Sequence, residues 1–270
     1  MDIAHILTIV LATLLVMLPG DSAAVSDQQR SFSVHVRYTI ELLEKILAGR
    51  KEIHERFTDS QIQLLENLNR VDVNHLTHLT QLVVPEVWLS DELSYSPLPA
   101  ESAWAVPYAK ALIVHQPGQV FGGYENGDLV RWGPISSGRK TSPTPSGLFH
   151  LNWRSKGRHS TVDPTWYMSW YSNFHNTLGL AFHEYKLPGY PANHACIRLL
   201  KRDAQWLYAW GEGTTPTTAG TPVLILGQYN FDAPPPWRSL TWLAEGISLS
   251  AVPPVQQASP SYTLRFPGAC

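Results

Sequence analysis

One short segment of the chain combines residue types that could perform acyl transfer. Cys196 lies two residues after His194 and two before Arg198, in the stretch LPGYPANHACIRL. A second histidine, His183, ends the apolar run LGLAF thirteen residues before the cysteine. A thiolate is the nucleophilic form of cysteine, and a nearby imidazole can generate it by taking the thiol proton. The residue types and their spacing therefore predict a nucleophilic cysteine with a histidine base.

The predicted elements around this segment would position the reactive groups. The turn EYKLPGYPAN can bring the imidazole at the end of the strand back toward Cys196. A helix is predicted at Leu199–Trp210, closed by Gly211, so the sulfur would lie about one turn before a helix N-terminus. The backbone N–H groups around Ala195 and Cys196 could then form an oxyanion hole.

Two other interpretations of these residues stay open. His183, His194 and Cys196 could ligate zinc, but the spacing His-x10-His-x-Cys fits no usual zinc motif, so we expect no metal and no cofactor. The only other cysteine, Cys270, is the last residue, and the two could form a disulfide in an oxidising compartment.

Short strand-length runs surround the segment and predict a mainly β domain over residues 107–230. The runs are KALIVHQ, QVFGGYENG, DLVRWGPISSG, GLFHLNW, LGLAFHEY and TPVLILG. Turn residues bound each run, and Asn126-Gly127 favours a hairpin because both residues tolerate positive φ. We predict a β-sandwich or partial barrel that contains a single helix, and α+β architecture for the whole chain.

Residues 1–24 have the pattern of a secretory signal peptide. An apolar run from Ile6 to Leu18 precedes Pro19 and Gly20, and it is short for a membrane span. The region before the run has no Lys or Arg, which departs from the usual pattern. We expect a periplasmic protein with no stable span after cleavage; the alternative is an uncleaved membrane anchor.

The remaining segments flank the predicted domain. Residues 25–86 have apolar residues at helical spacing, and the stretch Asn67–Pro85 resembles the second half of a LysM-type glycan-binding repeat. A helical pro-domain or spacer is the alternative for this segment. Residues 87–106 are predicted to be a linker and residues 231–270 a Pro-rich flexible tail.

The overall composition favours a globular protein and excludes one class of partner. Hydrophobic residues make up 44% of the chain and charged residues 16%, which is sufficient for a folded core. The formal net charge of -2 lacks the basic excess that nucleic-acid-binding proteins show.

The stretch FHEYKLPGYPANHACIRL resembles the signature of the YkuD-type L,D-transpeptidases. These cell-wall enzymes have an upstream His followed by a Ser-His-Gly-Cys-(Ile/Val)-Arg core. The resemblance extends through RWGPISSGRKTSPTPSGLFHLNW and STVDPTWYMSWYSNFHNTLGLAFH, so that it covers about residues 107–228. It implies a YkuD-like β fold and action on peptidoglycan stem peptides.

The resemblance also implies roles for single residues. Cys196 would attack the carbonyl of the third residue of a tetrapeptide stem and expel the terminal D-Ala. His183 would be the base, with its ring oriented by the backbone carbonyl of Glu184. His194 and Ala195 would shape the oxyanion site.

Four further side chains are predicted to bind substrate. Arg198 would hold the loop or pair with a substrate carboxylate. Tyr167 and Trp170 belong to an aromatic segment that would cover the cleft, and Asn193 could form the local hydrogen bonds of the family's serine.

The resemblance leaves the final acceptor open. An amine from a second stem would make the chain a transpeptidase, whereas water would make it an L,D-carboxypeptidase or endopeptidase. A non-catalytic peptidoglycan-binding protein with an inert Cys196 is the rival from another class.

Three positions depart from the family pattern. Asn193 replaces Ser, Ala195 replaces Gly, and Glu184 stands where Gly, Ala or Ser is expected. If position 195 requires positive φ, the alanine Cβ costs roughly 1–2 kcal/mol. The carboxylate of Glu184 could raise the pKa of His183 or simply point to solvent.

Overall fold

The computed structural model describes residues 36–49 and 52–249. The predicted signal peptide and Cys270 lie outside these residues. No helix in the described ranges has the length and hydropathy required to cross a bilayer.

Residues 36–86, here called the N-terminal segment, form a two-stranded sheet with helices between the strands. The elements are β1 (Tyr38–Leu42), α1 (Leu43–Leu47), a 3-10 helix (Ile53–Glu55), α2 (Asp59–Asn69), α3 (Val73–Leu76) and β2 (Gln81–Pro85). Strand β1 pairs antiparallel with β2. Helix α2 begins at a capping box in which Thr58 and Gln61 exchange two hydrogen bonds. The described part of this segment is therefore mixed α/β. The sequence analysis had predicted a helical segment.

The difference arises at the run YTIEL of β1. Ile40, Leu42 and Leu43 continue the apolar spacing of α1, so periodicity alone assigns them to one helix. In the structure the backbone at Leu42 is extended, and this residue pairs with Gln81 of β2. Tyr, Thr and Ile favour strands once a partner strand is available.

A nine-stranded sheet forms the rest of the fold. Its strands are β3 (Ala111–His115), β4 (Val120–Glu125), β5 (Asp128–Ser136), β6 (Gly147–His150), β7 (Arg154–His159), β8 (Tyr167–His175), β9 (Leu180–Glu184), β10 (Ile197–Leu199) and β11 (Pro222–Leu226). The order across the sheet is β6-β11-β3-β4-β5-β10-β9-β8-β7. Most pairs are antiparallel, but β10 runs parallel to β9 and β11 runs parallel to β3.

The sheet curls so that one edge approaches the other. Phe149 of β6 packs on Phe174 of β8, with ring centroids 5.5 Å apart, although the two strands are far apart in the sheet order. Helix α4 (Lys201–Trp210) packs on β8 and β9 and contributes Leu207 to the buried core that the curled sheet encloses. The predicted class, a mainly β partial barrel, is confirmed as a half-barrel of this sheet.

Two stretches that were expected to be extended are packed against the fold. A 3-10 helix at Glu92–Tyr95 interrupts the predicted linker, and Tyr95 is buried. In the predicted tail, Trp237 is only 1% exposed and lies in a 3-10 helix that precedes α5 (Leu240–Glu245). Large aromatic side chains bury enough apolar surface to hold such irregular segments.

Arg70 connects three parts of the chain at one buried point. Its Nε donates to the carbonyl of Gly118, 3.0 Å away, and its guanidinium lies 5.7 Å from the ring centroids of both Trp132 and Trp237. Burial lowers the pKa of Arg70 to about 9. The N-terminal segment, the sheet and the stretch after β11 therefore share one packed junction.

Replacing Asn69 by alanine should lower the free energy of unfolding by about 2–4 kcal/mol, because buried backbone groups lose their partners. Its amide donates to the carbonyls of Leu65 and Val83 at 2.9 and 3.0 Å and accepts from the N–H of Val83 at 2.9 Å. Urea denaturation measures the loss. The exposed Asn74→Ala control should change stability by less than about 0.5 kcal/mol. Equal effects of the two substitutions would contradict the assigned role of Asn69.

Candidate active site

The parallel pairing of β9 with β10 fixes the register between the predicted base and the predicted nucleophile. His183 is in register with Arg198, and Cys196 directly precedes β10. The sulfur of Cys196 accepts the N–H of Ala181 at 3.1 Å. Because residues two apart on a strand share a face, His183 and Ala181 lie on the same face of β9. The base therefore lies two residues further along β9 than Ala181, whose N–H contacts the sulfur.

Two hydrogen bonds fix the tautomer of His183. Its Nδ1–H donates to the carbonyl of Glu184 at 3.0 Å, and its Nε2 accepts from the amide of Asn193 at 3.1 Å. The resemblance implied the first of these contacts. The lone pair that could accept a thiol proton is therefore on Nε2.

Burial keeps the imidazole of His183 uncharged. The side chain is 3% exposed, and desolvation lowers its pKa to about 4. The hydrogen bond to Glu184 opposes this shift and the nearby Arg198 adds to it. The pKa therefore moves in the direction opposite to the rise that an acidic residue at 184 could have caused.

Asn193 connects the base to the loop before the cysteine. Its side-chain carbonyl accepts the N–H of His194 at 2.9 Å while its amide holds His183. Its own backbone bonds to Ser137 and Arg139 at the end of β5, at 3.0 and 2.9 Å. Asn193 is buried, so it reaches substrate only through the groups that it orients.

The backbone at Ala195 is left-handed, with φ of 69°. A Cβ in this region costs roughly 1–2 kcal/mol, which is why the family's glycine suits the position. The side chain of Ala195 is buried in the main core, where packing offsets part of this cost. The carbonyl of Ala195 accepts from the Thr144 hydroxyl at 2.8 Å, and that hydroxyl accepts the N–H of Gly138 at 2.9 Å.

Thr144 is a site residue that the sequence analysis did not single out. It is fully buried and sets the peptide unit between Ala195 and Cys196. Thr144 belongs to the stretch RWGPISSGRKTSPTPSGLFHLNW, which the family resemblance covers but in which no residue was given a role.

Cys196 is disulfide-bonded and fully buried. Its side chain packs with Met168, Tyr171 and Ala181. The only other cysteine of the sequence, Cys270, lies outside the described residues. A disulfide sulfur carries no thiolate, so Cys196 becomes a nucleophile only after reduction.

A small cavity of about 10 Å³ lies beside the base. It is lined by Ser160, Trp166, Met168, His183, Tyr185, Asn193, His194 and Arg198. The ring of His194 meets the edge of Trp166 at 5.2 Å, and burial, together with Arg139 and Arg198, lowers the pKa of His194. The residues after β7 thus close over the site.

Arg198 holds the loop between β9 and Cys196. It donates to the carbonyl of Ala192 at 3.1 Å and to that of Lys186 at 3.4 Å, and it lies 4.7 Å from the ring centroid of Tyr185. These contacts match the predicted role of Arg198 in holding the loop, rather than the alternative of pairing with a substrate carboxylate.

The two aromatic residues that were predicted to bind substrate, Tyr167 and Trp170, lie in different parts of the structure. Tyr167 is 53% exposed and lines a larger cleft beside Glu184. Trp170 packs edge-on against Tyr208 of α4, with ring centroids 5.4 Å apart, and against the main core. The structure therefore separates Trp170 from the other predicted site residues. Among the described residues, no group of three His, Cys, Asp or Glu side chains is placed to hold a metal ion.

Stability should fall as pH drops from about 6.5 to about 4, because the unfolded chain binds a proton that buried His183 refuses. The lowered folded-state pKa means that its contribution is complete above pH 6.5 and is lost progressively below it. The loss from this residue alone is about 3 kcal/mol. Urea denaturation at several pH values measures it.

A His183→Gln variant should show a shallower dependence on pH over the same range. His78→Gln, at an exposed histidine of the N-terminal segment, is the matched control and should leave the slope unchanged. Equal slopes in the wild type and His183→Gln would contradict the assignment of a buried neutral imidazole.

Residues 109–225 match the model of the YkuD family, described as an L,D-transpeptidase catalytic domain. This match covers the nine-stranded sheet, α4 and the residues around Cys196. A comparison with curated proteins finds no match.

Solved structures of L,D-transpeptidases are similar to part of this chain. One from Stackebrandtia nassauensis is 19% identical over 48% of this chain and 58% of its own, with a TM-score of 0.40. One from Mycobacterium smegmatis is 18% identical over 44% and 59%, with a TM-score of 0.38. One from Xylanimonas cellulosilytica is 22% identical over 67% and 93%, with a TM-score of 0.45.

The chain thus spans about 58% of the length of the first of these structures. Over residues 109–225 it is similar to the L,D-transpeptidase catalytic domain that defines the YkuD family.

Proposed function

We propose that this protein is an L,D-transpeptidase that acts on peptidoglycan stem peptides through a thioester at Cys196. The observation that carries the proposal is the environment of His183. A neutral imidazole, oriented by the Glu184 carbonyl and with its lone pair on Nε2, lies two residues along β9 from the N–H that contacts the sulfur, within the region that matches the YkuD family model.

The first half-reaction begins once an external thiol, itself oxidised to a disulfide, has reduced the disulfide of Cys196. The thiol proton passes to Nε2 of His183, which the amide of Asn193 must release, and the thiolate attacks the carbonyl of the third stem residue. As the tetrahedral intermediate collapses, the carbon–nitrogen bond to the terminal D-Ala breaks. The departing amine takes the proton from His183, and a thioester remains on Cys196.

The second half-reaction transfers the acyl group. An amine of a second stem attacks the thioester carbonyl and loses a proton to His183; the carbon–sulfur bond then breaks, and His183 returns that proton to the departing sulfur. Water in place of the amine would give the carboxypeptidase or endopeptidase reaction with the same groups. The similarity to the YkuD family model favours the amine.

The backbone before the sulfur is suited to stabilise the tetrahedral oxyanion. Preorganised N–H donors act most strongly where the backbone cannot reorganise during reaction. Thr144 holds the peptide unit between Ala195 and Cys196, and Asn193 holds the peptide unit before His194.

The periplasm is the proposed location. A disulfide at Cys196 is compatible with an oxidising compartment, and the apolar run near the N-terminus has the pattern of an export signal.

The same disulfide favours a second candidate function, a peptidoglycan-binding protein in which Cys196 is structural. Its sulfur is fully buried and accepts a backbone N–H, as a structural cysteine would. The two functions differ in what happens after reduction, because only a catalytic Cys196 acquires an acyl group.

Reduced wild-type protein should form a covalent one-to-one adduct with a carbapenem, because a thiolate opens the β-lactam carbonyl. Intact-protein mass spectrometry measures the adduct. Unreduced protein should not form it, and Cys196→Ala should not form it under either condition.

A Cys270→Ser variant should form the adduct without reductant, because Cys196 is then the only thiol of the chain. Failure of both reduced wild type and Cys270→Ser to react would favour the binding protein.

Replacing His183 with alanine should slow acylation by about 10²–10⁴-fold at neutral pH, the usual contribution of a positioned base. Stopped-flow measurement of carbapenem consumption gives the rate, and circular dichroism checks that the variant is folded. Replacing exposed His78 with alanine is the control. A folded His183→Ala protein that acylates at the wild-type rate would show that another group removes the proton.

A further inference from the structure

The turn between β3 and β4 carries a buried glutamine in an unfavourable backbone conformation. Gln119 is fully buried and has a φ of 49°, in the left-handed region that residues with a Cβ rarely adopt. A buried side-chain amide also loses its hydration, which hydrogen bonds within the protein must replace. Such a residue persists where its surroundings fix it, so its contacts indicate its role.

The side chain of Gln119 is bonded to the chain that leaves β5. Its Oε1 accepts the N–H of Ser137 at 2.9 Å, and its Nε2 donates to the hydroxyl of Ser137 at 2.9 Å and to the carbonyl of Gln116 at 2.6 Å. Because the backbone N–H of Ser137 can only donate, it fixes which end of the amide faces it. The oxygen and both N–H groups of the amide are therefore used.

The backbone of Ser137 in turn holds Asn193. The N–H of Asn193 donates to the carbonyl of Ser137 at 3.0 Å, and the N–H of Arg139 donates to the carbonyl of Asn193 at 2.9 Å. The side-chain amide of Asn193 then donates to Nε2 of His183 at 3.1 Å. Gln119 is therefore linked to His183 through Ser137 and Asn193, and all four residues are at most 5% exposed.

The turn that carries Gln119 is itself anchored to the fold. The carbonyl of Gly118 accepts Nε–H of Arg70 at 3.0 Å, and the N–H of Gly118 donates to Nδ1 of His115 at 3.1 Å. The backbone carbonyl of Gln119 accepts the N–H of Ile135 at 2.9 Å. The N-terminal segment and the neighbouring strands therefore hold the turn, and the amide of Gln119 is a fixed point for the residues after β5.

We propose that Gln119 is a positioning residue for the catalytic base. Its amide fixes the backbone of Ser137, this backbone fixes Asn193, and Asn193 holds the nitrogen of His183 that receives the thiol proton. The inference rests on the proposed function, in which Nε2 of His183 is the proton acceptor. It adds to the site a turn that lies outside the residues lining the small cavity beside the base.

The position of Asn193 matters because Nε2 exchanges its bond to this amide for the thiol proton. Proton transfer requires the sulfur and Nε2 to lie within hydrogen-bond reach. Without the amide of Gln119, the N–H and hydroxyl of Ser137 lose their buried partners, and the backbone that holds Asn193 shifts to satisfy them. A misplacement of about 1 Å lowers a rate by about 100-fold.

The test measures acylation of the reduced protein by a carbapenem in two variants of Gln119. Q119M removes the polar groups at similar length, and Q119G also removes the Cβ, so that relief of the left-handed strain favours folding. In both variants the rate constant at saturating carbapenem should fall about 10–100-fold, while the half-saturating concentration changes less than about twofold. Stopped-flow absorbance gives both quantities, and circular dichroism checks the fold.

Gln116→Met is the matched control, at a second buried glutamine of the same turn. The Nε2 of Gln116 donates to the carbonyl of Gly227 at 2.7 Å and to the hydroxyl of Ser146 at 3.3 Å, toward the end of β11. Q116M should lower the midpoint of urea denaturation as Q119M does, but acylate at the wild-type rate. In ¹⁵N NMR spectra, the Nε2 resonance of His183 should shift in Q119M and stay in place in Q116M.

The outcomes separate this inference from the proposed function. A reduced wild type that is never acylated overturns the function and the inference together. If the wild type is acylated and a folded Q119M or Q119G reacts at the same rate, the inference alone is overturned; where Q119M does not fold, Q119G decides. Equal slowing in Q116M also overturns it, because the effect would then come from the stability of the turn.

Discussion

The structure of the candidate site depends on one uncharged imidazole that is hydrogen-bonded on both sides. His183 is buried, so its charged form is strongly disfavoured, and its two nitrogens have distinct partners in Glu184 and Asn193. A buried ring that lacked either partner would leave a polar atom without water or protein to satisfy it. The backbone bonds of Asn193 to Ser137 and Arg139, just after β5, hold the amide that satisfies Nε2.

The loop between β9 and Cys196 is held from several sides rather than by its own conformation. Arg198 binds its carbonyls from β10, and Asp72 binds Leu187 from the N-terminal segment. Ser136 of β5 accepts the N–H of Ala192 at 3.0 Å. This number of contacts explains how the left-handed Ala195 persists, since local strain requires surroundings that determine the conformation independently.

The sequence was sufficient for the parts of the fold that have strong local signals. The strand runs between turn residues predicted the β domain, and the residues from His183 to Arg198 predicted the order of the site. The strand β1 was missed because Leu42 and Leu43 continue a helical spacing. Trp170 was placed at the site because strand alternation does not reveal which face α4 covers. Contacts between distant segments, such as Thr144 with Ala195 or Asp72 with Leu187, leave no periodic signal in either segment.

The junction around Arg70 affects how this domain can be studied in isolation. Trp132 belongs to the matched domain, but Arg70 precedes that domain and Trp237 follows it. A fragment cut at residues 109 and 225 would leave the indole of Trp132 and the side chain of Val120 facing water, since their buried partners come from both flanks. The boundaries of the sequence family and those of an autonomous folding unit therefore do not coincide in this chain.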